Sequence, residues 1–95
     1  MKQKIAYINQ GRDGYVVYKD KFSELRFYFE FGGGDCVAII SVPSNEKWVK
    51  ETKRSLNDRQ VILTFIAESV IRDQAPNSTY RLSDSSIDIL ERKKD

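Results

Sequence analysis

Apolar and polar residues alternate most cleanly between Glu24 and Phe31. Leu25, Phe27, Phe29 and Phe31 fall on one side, and Glu24, Arg26, Tyr28 and Glu30 on the other. A period of two predicts a strand with one buried face. Gly32-Gly33-Gly34-Asp35 follows as a turn, and Cys36 to Val42 is apolar at nearly every position. That run predicts a central strand covered on both sides, paired with the preceding strand as a hairpin. Upstream, Ile5 to Asn9 and Tyr15 to Tyr18 flank Gln10-Gly11-Arg12-Asp13-Gly14. They form a first hairpin, with Asp13-Gly14 expected to supply the positive φ of its turn. Downstream, Tyr80 and Leu82 alternate, Ser83 to Ser86 turns, and Ile87 and Ile89 alternate again as a third hairpin.

The period changes to that of a helix after Pro43. Ser44 is a candidate N-cap. Trp48, Val49, Thr52 (by its methyl) and Leu56 then fall within about 100° of arc, a narrow stripe on a short surface helix. Lys47, Lys50, Lys53 and Arg54 occupy the opposite face, with Glu46 and Glu51 among them. Asn57 and Gln60 have the spacing of a capping-box variant, and Asp58 suits the first turn of a second helix. Ala75-Pro76 ends it. Ile62, Leu63, Ile66, Ala67, Val70 and Ile71 form its broad core face. Val61 and Phe65 project from the other side, beside Glu68 and Arg72. Either Trp48 and Val49 of the preceding helix cover that pair, or it belongs to an interface comprising Trp48, Val61, Phe65, Glu68 and Arg72.

The order along the chain is β-β-β-β-α-α-β-β. Strands followed by helices indicate an α+β fold rather than a parallel α/β one. We expect one domain over 1–95, a two-layer sandwich with a mostly antiparallel sheet and both helices on one face. Residues 91–95 read as a frayed charged tail. Which edge of the sheet receives the last hairpin stays open, as does whether either sheet face is left uncovered.

With 95 residues, a chain buries only about 60–65% of its unfolded surface and has little room for a deep enclosed site. Hydrophobic residues make up 40% and charged residues 32%, which argues against disorder. Sixteen basic residues against fourteen acidic ones leave a net charge of +2, too weak to argue for nucleic acid. A single cysteine suggests a reducing, cytoplasmic setting. The start of the chain leads into no apolar segment, so no signal peptide is expected, and no run is long enough to span a membrane.

The chain contains no histidine. That removes the commonest general base and metal ligand, and with them a Ser–His–Asp triad, a Cys–His pair and ordinary zinc sites. No cofactor and no metal are expected. Among carboxylates, Glu68 and Asp73 point about 140° apart on their helix, and Glu24 and Glu30 lie far apart on one strand face. Glu68 and Arg72 have the i, i+4 spacing of a surface ion pair, as do Lys47 and Glu51. Gly32-Gly33-Gly34 runs into a strand and lacks the helix and Lys of a phosphate loop. Cys36 reads as a small buried hydrophobe.

Two function classes remain. A small non-catalytic protein-interaction domain, with a homodimer among its forms, accounts for the Val61/Phe65 stripe. Single-stranded nucleic-acid binding is the alternative, through an open sheet face bearing Arg26 and Tyr28 and the basic residues Lys47, Lys50, Lys53 and Arg54. A small enzyme, which would need a deep pocket lined by Glu30 or Glu68, is third.

Overall fold

The computed structural model describes residues 3–92. Among them are β1 (Lys4–Asn9), β2 (Asp13–Lys19), β3 (Glu24–Phe31), β4 (Cys36–Ser41), α1 (Asn45–Thr52), α2 (Leu56–Gln74), β5 (Ser78–Leu82) and β6 (Ser86–Glu91). The strands make one antiparallel sheet in the order β1-β2-β3-β4-β6-β5. The last hairpin therefore joins at β4, through its second strand.

The helix-facing side of the sheet follows from the register. Val16 stands opposite Phe27, Phe29 opposite Ile40, and Ile40 opposite Ile87. All are buried, together with Ile62, Leu63, Ile66, Ala67 and Val70 of α2. Each fully buried Ile or Leu here contributes about 1.5–3 kcal/mol before its entropy loss. This is the two-layer α+β sandwich expected from the alternation. The other side of the sheet is covered by no element among the described residues. Ile39 is partly exposed there, so β4 is covered on one face, not two; Val37 sits at a bulge in β4.

Local chemistry departs from expectation at several turns. Gly11 (φ 85°) carries the positive φ of the first hairpin. Gly14 instead lies in β2 opposite Asn9, where an added Cβ would run into the Ile8 carbonyl oxygen. Ser44 caps α1 as expected, its Oγ accepting the Lys47 N–H at 3.3 Å. α1 nevertheless stops at Thr52, short of Leu56, because Lys53 turns left-handed (φ 62°) and donates its N–H to Val49. Of the expected stripe only Trp48 and Thr52 face inward; Val49 and Leu56 are about half exposed.

The helix expected from Asn57 starts at Leu56, with Ser55 as N-cap. The Asn57/Gln60 capping box does not form. Both residues are exposed within the helix, and the Gln60 amide donates to Thr64 Oγ1 (3.4 Å). The Ser55 carbonyl is engaged instead, accepting the Asp58 N–H (3.1 Å) and the Trp48 indole N–H (2.9 Å). At the other end of the chain, Glu91 donates its N–H to Asp35 (2.8 Å) and Arg92 to Asn77 (3.3 Å). Pairing thus reaches into the segment expected to fray; residues 93–95 of that tail lie outside the described residues.

Candidate interaction surface

The turn after β2 is built on Asp20. Its Oδ1 accepts the backbone N–H groups of Phe22 (2.9 Å) and Ser23 (3.2 Å), folding the loop over the carboxylate. Oδ2 accepts the Tyr18 hydroxyl at 2.8 Å. Arg54, in the short link between the helices, closes the cluster. Its guanidinium is 3.0 Å from Asp20 Oδ2, donates to Ser23 Oγ (3.0 Å), and reaches Asp58 Oδ2 at 3.3 Å through Nε. Burial pushes the Asp20 carboxyl up, but the bonds from Arg54, Phe22, Tyr18 and Ser23 outweigh it and hold it far below the usual carboxylate range. Burial likewise lowers Arg54, and Asp20 and Asp58 more than restore it.

This cluster pins Phe22 outside the core. The ring is 71% exposed, with Lys21 Nζ 5.0 Å and the Arg54 guanidinium 5.3 Å from its centroid. Across a shallow groove of about 280 Å³ stands Val61 of α2, 62% exposed. Gln3, Tyr18, Lys21, Asp58 and Ile62 also line it. The result is two neighbouring apolar side chains on a rigid charged base.

The residues anticipated as an interface do not form one surface. Val61 is exposed, but Trp48 is fully buried, stacked on Phe27 with ring centroids 6.4 Å apart. It is not open to a partner, and it leaves Val61 uncovered. Phe65 is covered by Tyr18, edge to face at 6.0 Å, and is half-buried against the core. Glu68 is exposed. Arg72 pairs with its neighbour Asp73 (2.9 Å) rather than with Glu68. Asp73 also accepts the Tyr7 hydroxyl at 2.9 Å. Burial, with this bond, raises the Tyr7 phenol well above its ordinary value.

The anticipated nucleic-acid contacts are divided by the sheet. Arg26 and Tyr28 lie on the uncovered face, whereas Lys47, Lys50 and Lys53 belong to α1 and its C-cap on the other side. Arg54 is consumed by Asp20. On the uncovered face Tyr28 stands edge-on to Tyr15 at 5.9 Å and donates to Asp13 (2.8 Å), which raises its phenol. Lys19 and Arg26 both lie within 4 Å of Glu24, and Arg81 pairs with Asp88. Carboxylates are thus interleaved with the cations on that face, which presents no continuous basic patch to phosphates.

An apolar cleft of about 90 Å³ lies under the end of α2, between Tyr7, Phe29, Phe31 and Val70. It is well below the roughly 300 Å³ at which small-molecule sites begin. Glu30 and Glu68 are exposed and line none of these clefts. Cys36 is half-buried rather than enclosed, and its thiol lies 3.6 Å from the Ala38 carbonyl. Among the described residues no cluster of His, Cys, Asp or Glu could hold a metal ion, and no helix is long and apolar enough to cross a membrane.

Phe22, Asp20 and Lys21 escape sequence reasoning because a lone aromatic in a turn has no periodic partner. The available signal is the aromatic itself, set among charges in Lys19-Asp20-Lys21-Phe22-Ser23-Glu24. No protein family matches this chain, and no curated protein and no solved structure is detectably similar to it.

Proposed function

We propose that the chain is a small non-catalytic protein-interaction domain that self-associates through Phe22 and Val61. The observation that carries this is the exposure of both side chains on one groove, where solvent contact costs free energy that burial against a partner recovers. A two-fold dimer needs a patch complementary to itself. Lys21 and Asp58 flank the apolar pair and carry opposite charge, so Lys21 of one copy can meet Asp58 of the other. The patch is small, which fits a weak, reversible dimer rather than an obligate one. We assign the domain to the cytoplasm on its single cysteine.

Sedimentation velocity over a concentration series tests this. The wild-type chain is expected to shift from monomer toward twice the monomer mass as concentration rises into the high micromolar range. Val61→Asp is expected to stay monomeric while its melting temperature changes little, because the side chain is solvent-exposed. A wild-type monomer throughout, or a dimer indifferent to Val61→Asp, contradicts the proposal.

A further inference from the structure

The sheet is incomplete between β3 and β4. The two strands pair only over Phe29 to Phe31 and Ala38 to Ile40, although β3 begins at Glu24. Phe31 donates its N–H to Arg12 (2.9 Å) and Asp20 donates to Ser23 (3.1 Å) at the two ends of the β2–β3 ladder. Antiparallel alternation between those ends turns the backbone groups of Leu25 and Phe27 toward β2. Those of Glu24 and Arg26 point the other way, toward the β4 side, where no strand is paired with them.

The opposite wall supplies no partner. The Val42 N–H donates to Ser85 (3.0 Å), and Pro43 has no N–H. The Pro43 carbonyl accepts two bonds from the buried Arg59 guanidinium (3.2 and 3.0 Å). Thr52 Oγ1 donates to the Trp48 carbonyl and accepts the Arg54 N–H. Between these walls runs an open groove of about 410 Å³ lined by residues 24–28, Ser41, Val42, Pro43, Glu51 and Thr52.

We propose that this groove docks an extended peptide from a partner protein, which adds as a strand to the free edge of β3. The unpaired N–H and C=O groups of Glu24 and Arg26 call for backbone partners, which an extended chain provides at the matching repeat. Side-chain alternation sets the chemistry. Residues of the added strand that point inward meet Phe27, Val42 and Thr52 and are small and apolar. The groove lining carries two carboxylates, Glu24 and Glu51. Among the described residues the one cation of the groove, Arg26, already lies 3.8 Å from Glu24. The peptide therefore alternates small apolar residues with lysine or arginine. This docking is separate from self-association, since Phe22 and Val61 line a different groove.

Amide exchange and chemical-shift mapping by NMR test the proposal, with a capped hexapeptide of alternating lysine and valine as probe. In the free protein the Arg26 amide should exchange at least about tenfold faster than that of Phe27, which is bonded into the β2 ladder. Saturating peptide should slow Arg26 exchange by at least about tenfold and shift the resonances of residues 24–28 and Thr52. The same peptide N-methylated at its valines, or with glutamate in place of lysine, should leave them unmoved at that concentration. Val61→Asp should respond as the wild type does. The proposal is overturned if Arg26 is as protected as Phe27 in the free protein, or if millimolar peptide shifts nothing. It is equally overturned if the shifts cluster at Phe22 and Val61, or if protection of Arg26 rises with protein concentration alone, which assigns the groove to a second copy.

Discussion

Replacing Arg54 with Met keeps the length and bulk of the side chain and removes its charge. In the native protein the guanidinium and the Asp20 carboxylate are only 11% and 10% exposed, and they meet at 3.0 Å. The variant leaves Asp20 ionised and largely buried, with the Tyr18 hydroxyl and two backbone N–H groups as its remaining partners. Breaking a buried pair from one side costs about 3–5 kcal/mol, and the partners left to Asp20 place this case near 3. At about 4–8 °C per kcal/mol for a domain of this size, the melting temperature should fall by about 12–24 °C. Such a loss is a large share of the roughly 5–10 kcal/mol available to the fold.

Urea and thermal unfolding followed by circular dichroism measure this, and Asp20→Asn completes the cycle. Asp20→Asn alone should cost somewhat less, about 2–3 kcal/mol, because the guanidinium keeps Asp58 and Ser23 as partners. The double variant should cost at least about 2 kcal/mol less than the two singles added. The pH dependence has a definite sign. The folded pKa of Asp20 is depressed, so its contribution is full above the unfolded value of about 3.9 and is lost as pH falls below it. Arg54→Met should therefore show a shallower loss of stability in acid than the wild type. A cost below about 1 kcal/mol for Arg54→Met, or additivity in the double variant, refutes the view that this pair pins the turn bearing Phe22.

Gly14→Ala should destabilise by more than about 2 kcal/mol, read in the same urea titration, because its Cβ collides with the rigid Ile8 carbonyl in the neighbouring strand. Gly33→Ala, with open space around it, should be tolerated. At alkaline pH the protein should lose stability as pH rises above about 10, the unfolded tyrosine value. Tyr7 and Tyr18 have raised folded pKa values, so the unfolded chain releases its protons first. A spectrophotometric titration in which every tyrosine ionises near pH 10 without loss of structure contradicts this.

The elements whose partners lie within a few residues were legible in the sequence. β3 has the bounds that its alternation implies, and the core face of α2 is the one its periodicity marks. What escaped depends on contacts across the chain. Trp48 looks like part of a surface stripe until the turn at Lys53 carries Ser55 back to its indole N–H. Val61 and Phe65 look like one exposed pair until Tyr18, distant in sequence, covers only the second. The start of α2 was misplaced because Ser55 and Asn57 are both acceptable caps, and the chain path out of α1 decides between them. Asp20 and Arg54 are separated by 34 residues, and no periodicity links them. The candidate surface was therefore the least legible part, since it is assembled from a turn, a linker and one helix face.

The central claim is that Phe22 and Val61 bury each other between two copies of the chain. Its most direct test is an isotope-filtered NOE experiment on an equimolar mixture of labelled and unlabelled protein at high concentration. Self-association through this groove predicts intermolecular NOEs between the Phe22 ring and the Val61 methyls, accompanied by contacts from Lys21 and Asp58. The absence of intermolecular NOEs, or their appearance at Tyr15 and Tyr28 on the uncovered sheet face instead, would contradict it.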